Sequence, residues 1–209
     1  MYFGLKIKDT KKPCIKGLAI YPLENSVVNN ADTAIHLKVV SQDNKYHIEN
    51  PEFKVNGNIA FGINVYDQAD GSPNKNGAHS IELYADDKLI FKIVSDKYSY
   101  DETRYINSMI DYSHYIRNNE HFIRTEIDKF NKLNNLYKTT NGVVNVNEYD
   151  TIKMKYVVKD YNNNKSVLNF TLVGSGSVDL EEKPILPRSF YRIYDGEAGN
   201  INLDGFEVD

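Results

Sequence analysis

The chain has one cysteine, no tryptophan and no long apolar run, and each of these absences narrows what the protein can be. Cys14 alone cannot form an intrachain disulfide, and it excludes a zinc site built from several cysteines. Without a run of about 18 apolar residues, the sequence predicts no transmembrane helix. The first residues also lack the pattern of a secretory signal peptide. We therefore expect either a cytoplasmic protein or a mature or excised part of an exported one.

The composition is that of a folded domain with no surface for nucleic acid. The 209 residues are 41% hydrophobic and 26% charged, which is ordinary for a globular protein that buries a core. The formal net charge is -4, so the chain as a whole does not attract a phosphate backbone. We expect no nucleic-acid partner.

Apolar and polar side chains alternate in several short segments, which is typical of half-buried strands. Strands are predicted over residues 3–7, 15–23, 33–40 and 59–65. Residues 81–93 predict a hairpin that turns at Asp86 and Asp87. A second hairpin is predicted over residues 152–172, with its turn at residues 160–164. The chain is therefore expected to be mainly β.

Residues 101–136 interrupt this alternation with apolar side chains spaced by three or four, which is typical of helices. The spacing predicts a helix over residues 122–133, and either a helix or an ordered loop over residues 105–116. Many short strands with one such insertion predict an antiparallel β-sandwich of immunoglobulin-like type. We expect this domain to cover residues 1–174, with a helical or irregular insertion at 101–136.

The end of the chain differs from this domain. Residues 174–177 read GSGS, which predicts a flexible linker. The residues that follow are acidic and contain three strand-like fragments. Residues 175–209 are therefore expected to be a linker and an acidic tail, which forms either an added edge strand or a separate segment.

Two loops carry the oxygen-bearing side chains that calcium prefers, and the first begins at Asp67. An EF-hand loop needs oxygen ligands at its third and fifth positions, where this loop has Ala69 and Gly71. The spacing therefore predicts a connection between strands and no metal site.

The second loop contains Asp160, Asn162 and Asn164, which have the spacing of the first three EF-hand ligands. Lys165 stands where the EF-hand needs glycine, and its charge would oppose a cation. Thr171 stands where the bidentate glutamate is needed. Because asparagine tolerates positive φ, this loop is predicted to be the turn of the second hairpin.

No set of side chains has a spacing typical of catalysis. The sequence lacks a G-x-S-x-G motif, and Cys14 is expected to be a small core residue. The histidines form no H-x-H or H-E-x-x-H pair, so surface or partly buried positions are expected for them. They are His36, His47, His79, His114 and His121. We therefore expect no catalytic residue, no metal and no cofactor.

The chain contains sixteen tyrosines, an unusually high number for a chain without tryptophan. Tyrosine rings stack on sugars and anchor protein interfaces, but they are also common in half-buried strands. An exposed row of tyrosines on one sheet face would favour carbohydrate binding, whereas burial of most of them would exclude it.

Four segments resemble a region found in Bacteroidetes, where it follows the catalytic domain of lysostaphin-like, zinc-dependent peptidoglycan endopeptidases. The segments are KIKDTKKPCIKGLAIYPL (6–23), FGINVYDQADGSPNKNGAHSIELYADDKLIF (61–91), YDETRYINSMIDY (100–112) and VVKDYNNNKSVLNFTLVG (157–174). The resemblance covers about residues 4–174. That family holds its zinc with H-x-x-x-D and H-x-H motifs upstream of the matched region, and neither motif occurs in this chain.

The resemblance implies a non-catalytic accessory module of a cell-envelope peptidoglycan hydrolase, either excised from its parent or descended from one that lost the peptidase. Its expected location is periplasmic or exported. Its expected partners are peptidoglycan or the catalytic domain of a parent enzyme. The alternative is a stand-alone β-sandwich domain that binds carbohydrate or protein.

An interaction surface is predicted in the insertion, where an arginine and tyrosines are interspersed with acids. Its residues are Arg104, Tyr105, Asp111 and Tyr112. An alternative role for Arg104 and Asp111 is to form internal polar contacts that attach the insertion to the domain.

Overall fold

The fold is given by a computed structural model, which describes residues 9–176 except 44, 98, 134–135 and 138–139. The protein is mainly β, with 48% of the structure in strands and 9% in helices. No helix in this described part is long and apolar enough to span a membrane. The strand predicted over residues 3–7 and the predicted tail after residue 176 lie outside the described residues.

Thirteen strands and two short helices form the described part of the chain. The strands are β1 (Cys14–Pro22), β2 (Val27–Val28), β3 (Ile35–Lys38), β4 (Val40–Gln42), β5 (Lys45–His47), β6 (Glu52–Tyr66), β7 (Ser80–Ala85), β8 (Lys88–Val94), β9 (Ile123–Arg124), β10 (Leu136–Tyr137), β11 (Val144–Val146), β12 (Thr151–Lys159) and β13 (Lys165–Gly174). The helices are α1 (Thr103–Asn107) and α2 (Tyr112–Asn118).

The strands pair in a mixed arrangement. The main order is β10-β8-β7-β12-β13-β6-β1-β3, and β2, β9 and β11 also pair with β6. Strands β4 and β5 pair only with each other. The sequence predicted a wholly antiparallel sheet, and this is wrong for one pair, because β13 runs parallel to β6. A parallel pair needs a long connection, and here the chain passes through all the elements from β7 to β12 between the two strands.

Strand β6 changes partners near its middle. Residues 52–56 pair with β13 and β2, whereas residues 57–66 pair with β11, β1 and β9. Gly57 lies at this change with a φ of +87°, a conformation that favours glycine. Beside it, the Ser26 hydroxyl accepts a hydrogen bond from the Asn58 amide at 2.8 Å. The glycine thus lets one strand serve two groups of partners.

Both predicted hairpins are confirmed. Strands β7 and β8 pair around Asp86 and Asp87, which have φ values of 45° and 63°. Aspartate tolerates this left-handed region better than most residues. Strands β12 and β13 pair across residues 160–164, where both carboxylate oxygens of Asp160 accept hydrogen bonds from Asn164.

A buried carboxylate lies on β7. Glu82 is buried and forms ion pairs with Lys92 at 3.0 Å and with Lys159 at 3.1 Å. The Tyr84 hydroxyl donates to it at 2.8 Å. Burial alone would raise the pKa of Glu82, but these donors lower it below its ordinary value. The charges of Lys92 on β8 and Lys159 on β12 are therefore partly neutralised by this buried acid.

The insertion, defined here as residues 99–133, differs from its prediction. Either a helix or an ordered loop was predicted over residues 105–116, and both are present: α1 and α2 overlap the two ends of this range, and residues 108–111 between them are not helical. The helix predicted over residues 122–133 is wrong, because Ile123 and Arg124 form β9 and pair with β6. Thr125 continues this attachment, since its amide donates to the Phe61 carbonyl at 2.8 Å. Pairing with a distant strand thus overrides the local helical spacing.

The larger of two clusters of buried apolar side chains forms the main core between these strands. Its largest fully buried members include Phe61, Phe91 and Tyr156. The Tyr156 hydroxyl shares a 2.7 Å hydrogen bond with Thr125, so its polar end is satisfied. Each such side chain contributes about 1.5–3 kcal/mol through its burial.

The GSGS segment begins inside the fold. Gly174 ends β13, and the Ser175 amide donates to the Val55 carbonyl at 2.9 Å. The Asn56 side chain donates to the Ser175 carbonyl at 2.6 Å. The prediction of a flexible linker is therefore wrong for these first two residues, which are held against β6.

Candidate functional site

The insertion begins at a local helix start that the sequence encodes. The Ser99 amide and hydroxyl both donate to the Glu102 carboxylate at 3.0 Å. A serine followed by glutamate three residues later is typical of a helix N-terminus. One turn of 3-10 helix follows over Tyr100–Glu102 and leads into α1.

Asp111 attaches the second helix to the sheet. It precedes α2, and its Oδ1 accepts a hydrogen bond from the His114 amide at 3.1 Å, which is the usual role of aspartate at this position. Its Oδ2 accepts from the Tyr21 hydroxyl at 2.9 Å and lies 3.0 Å from Nε2 of His36. One carboxylate therefore joins α2 to β1 and β3.

The ionisation of Asp111 follows from these contacts. Burial alone would raise the pKa of Asp111, but the hydrogen bonds that its carboxylate accepts hold it well below its ordinary value. Because an ionised carboxylate can only accept, we infer that Nε2 of His36 carries the proton and donates. Burial and the Asp111 charge also raise the pKa of Tyr21 well above its ordinary value. The Tyr21 hydroxyl therefore remains a donor at neutral pH.

Two histidine rings lie against each other beside Asp111. The centroids of His36 and His114 are 3.7 Å apart, with 15° between the ring planes. Phe122 packs edge-on against both rings, at 5.0 and 5.1 Å. Such edge contacts orient the rings as well as exclude water.

His114 has its own polar partners. Its Nε2 lies 2.9 Å from the Glu120 carboxylate, and its Nδ1 lies 3.2 Å from the Asn118 side-chain nitrogen. With Nε2 donating and Nδ1 accepting, a neutral imidazole satisfies both contacts. Asn119 then ends α2 with a φ of 54°. The partly buried positions of His36 and His114 agree with the expectation for the histidines.

The structure separates the four residues of the predicted interaction surface. Arg104 and Tyr105 lie together on α1, with the guanidinium 5.1 Å from the ring centroid. Arg104 is exposed, whereas Tyr105 is half-buried and packs against the core. Tyr112 is exposed at the start of α2, and Asp111, which precedes it, is buried. Asp111 thus has the internal anchoring role that was the alternative to a surface role.

Sequence reasoning missed two exposed apolar side chains of the insertion. Ile116 is 79% exposed and Phe130 is 55% exposed, although both belong to the apolar spacing of three or four that predicted helices in this segment. The spacing in the sequence led to this error. Met109 and Ile116 are seven residues apart, which would place them on the same face of one continuous helix, but the chain is not helical between α1 and α2. The one signal in the sequence for this break is Asp111, because aspartate is common at the position just before a helix and therefore indicates that a new helix begins there.

The tyrosines do not form an exposed row on a sheet face in the described part. Those on strands with described side chains are buried or half-buried. They are Tyr21, Tyr46, Tyr66, Tyr84 and Tyr156. The exposed tyrosines lie on helices and turns instead. This arrangement removes the observation that would have favoured carbohydrate stacking.

Two other features lie outside the insertion. Cys14, expected in the core, is half-buried and lines a cavity of about 480 Å³ together with Tyr46 and Tyr66. Among the described residues, one group of side chains has the proximity needed to hold a metal ion, and it consists of Asp9, Asp67 and Asp160.

Comparison of the chain with protein-family models, with curated proteins and with solved structures gives no match.

Proposed function

We propose that this chain is a non-catalytic accessory module of a cell-envelope peptidoglycan hydrolase, and that it acts by docking through its insertion. One observation carries the proposal: four of the seven large apolar side chains exposed in the described residues belong to the insertion. They are Tyr100, Tyr112, Ile116 and Phe130. Exposed apolar side chains that cluster in one segment are typical of a protein interface.

The rigid attachment beneath these side chains supports docking. The Asp111 carboxylate and the stacked rings of His36 and His114 fix α2 against β1 and β3. A fixed surface loses less conformational entropy on binding than a flexible loop does. Aliphatic Ile116 also suits a protein partner better than a sugar, which favours flat aromatic faces.

The proposal also includes the type of β fold and the location of the protein in the cell. The change of partners in β6 at Gly57 supports a two-layer sandwich of immunoglobulin-like type. The resemblance of residues 4–174 to the region behind lysostaphin-like catalytic domains supports the cell envelope as the location. It also supports the catalytic domain of such an enzyme as the docking partner, with peptidoglycan itself as the second candidate.

The test is a binding experiment with two immobilised targets, a lysostaphin-like catalytic domain and intact peptidoglycan sacculi. We compare the full chain with the double variant Ile116→Ser/Phe130→Ser. The matched control is Tyr149→Ser/Tyr161→Ser, which removes exposed rings outside the insertion. Muropeptide release is read on the sacculi samples.

We expect saturable binding to the catalytic domain, a loss of at least tenfold in the insertion variant, and no change in the control. Binding to sacculi that is lost in the same variant would assign the insertion to wall targeting, still within the accessory role. Equal binding by both variants would refute docking through the insertion. Muropeptide release by the chain alone would refute the non-catalytic role.

A further inference from the structure

Three acidic side chains from distant parts of the sequence meet at one end of the sheet. Asp9 precedes β1, Asp67 follows the end of β6, and Asp160 begins the β12–β13 turn. One carboxylate oxygen from each lies within 4.8 Å of the other two. Both calcium-like loops of the sequence, which fail separately as EF-hands, therefore contribute to one cluster.

Asp160 is held firmly in this cluster. It is only 1% exposed, and its Oδ1 and Oδ2 accept hydrogen bonds from the Asn164 amide and side chain at 2.7 Å. The same Asn164 side chain donates to the Asp9 carbonyl at 3.0 Å. A carboxylate has about four lone-pair positions, so Asp160 retains the capacity to bind a cation.

Asp67 supplies an independent sign of a missing ligand. Its Oδ1 is closed to solvent and has no hydrogen-bond donor, and it is the only buried side-chain oxygen or nitrogen in this state among the described residues. Buried polar atoms almost always have a partner, and an ion or a water is the usual explanation for an exception. Burial and the charges of Asp160 and Asp9 also raise the pKa of Asp67, which agrees with the proximity of the three carboxylates.

No ion pair balances the charge of the cluster in the part of the chain that the structure describes. Within the described residues, no lysine, arginine or histidine forms an ion pair with any of the three carboxylates. Lys165, whose charge would oppose a cation, is exposed at the start of β13. Like charges at this separation, one of them deeply buried, require a counter-charge.

We propose that Asp9, Asp67 and Asp160 bind a calcium ion at this end of the sheet. The ligands are all oxygens, which a hard cation such as calcium prefers over softer metals. Two calcium–oxygen bonds of about 2.4 Å span the separation within which the three oxygens lie. Calcium also tolerates ligands from three separate segments better than magnesium does, since magnesium demands near-ideal octahedral geometry. The bound ion joins the segment before β1 to β6 and the β12–β13 turn.

The test uses the full chain freed of metal with a chelator and then titrated with CaCl2 or MgCl2. Calorimetry measures affinity, and the thermal midpoint measures stabilisation by the bound ion. The variant is Asp67→Asn, and the matched control is Asp70→Asn, an acid of the same loop that contacts Thr10 and lies outside the cluster. Asp9→Asn, on the segment before β1, provides a second variant that does not disturb the core.

We expect calcium binding with a Kd on the order of 10⁻⁴–10⁻³ M, a range found in extracellular modules. Asp67→Asn and Asp9→Asn should each weaken it at least tenfold, and Asp70→Asn should not. Asp67→Asn should also raise the thermal midpoint of the metal-free chain, because it removes one of three like charges. Absence of binding, an equal response to magnesium, or an equal loss in Asp70→Asn would overturn the proposal.

Discussion

The imidazole rings of His36 and His114 are stacked with their centroids 3.7 Å apart, although the residues lie 78 positions apart in the chain. His36 belongs to β3, at one end of the main strand order, and His114 belongs to α2 of the insertion. Each ring has its own carboxylate partner, Asp111 for His36 and Glu120 for His114. The insertion is therefore fixed to the sheet by a polar cluster as well as by apolar packing.

The first prediction concerns the centre of this cluster. Asp111→Asn should lower the free energy of unfolding by about 2 kcal/mol, because one amide oxygen cannot replace two carboxylate oxygens that accept three donors. Tyr21→Phe removes one of these donors and should cost about 1 kcal/mol. Urea unfolding followed by circular dichroism at pH 7 measures both. An Asp111→Asn cost no larger than that of Tyr21→Phe would contradict the anchoring role.

The second prediction is a loss of stability in acid. The folded-state pKa values of Asp111 and Glu82 lie below their ordinary values of 3.8 and 4.5. Each group therefore contributes stability that is present above its ordinary pKa and is lost as the pH falls towards its folded-state pKa. Asp67 has the opposite effect on stability: because its pKa is raised in the fold, its protonation in acid favours the folded state.

Urea midpoints measured from pH 7 down to about pH 3 test this dependence. The midpoint of the natural chain should change little near neutral pH and fall once the pH passes below the ordinary pKa of Glu82. Asp111→Asn should show a shallower fall, because it lacks one of the groups whose pKa the fold lowers. Parallel curves for the two proteins would show that Asp111 does not contribute to the acid loss.

The parts of the fold that the sequence predicted are those with local signals. The β7–β8 hairpin follows from alternation around Asp86 and Asp87, and its partners are adjacent in the chain. The structure of the insertion depends instead on the pairing of β9 with the distant strand β6. Ile123 pairs with Ile63, sixty positions earlier, and no local pattern encodes that choice.

The prediction of the candidate sites from the sequence was limited for the same reason, since their residues come from distant parts of the chain. Asp111 was identified from its surroundings in the insertion, but its main partners, Tyr21 and His36, belong to strands near the start of the chain. Asp67 and Asp160 were each tested against a contiguous calcium loop and rejected. Their convergence depends on how β6 and β12 are arranged, which the spacing within either loop cannot show.

The third prediction uses three glycines to separate backbone strain from steric contact. Gly77→Ala should change stability by less than about 0.5 kcal/mol, because its surroundings are open and its φ is ordinary. Gly71→Ala should cost about 1 kcal/mol, because φ is +72° but nothing lies near the added atom. Gly57→Ala should cost roughly 2–4 kcal/mol, since it adds a clash with Ser26 to a φ of +87°.

Thermal and urea unfolding of the three variants measure their stability costs, which should rise from Gly77→Ala through Gly71→Ala to Gly57→Ala. Equal costs for Gly57→Ala and Gly71→Ala would mean that Ser26 moves away from the added atom without lowering the free energy of unfolding. The hydrogen bond from the Asn58 amide to Ser26 makes such a shift costly, since it would leave that amide without its partner.

The fourth prediction separates the outer surface of the insertion from its attachment. Met109 is 3% exposed and Ile116 is 79% exposed, although they share one helical spacing in the sequence. Met109→Ala should therefore cost about 2–4 kcal/mol of unfolding free energy, since it leaves a cavity in the core. Ile116→Ser should stay within about 0.5 kcal/mol, since an exposed side chain contributes little to folding. A large cost for Ile116→Ser would mean that Ile116 is covered by the rest of the chain in solution, and the docking surface would then have to lie elsewhere. An Ile116→Ser protein that is fully stable and yet fails to bind identifies the residue as part of an interface rather than of the fold.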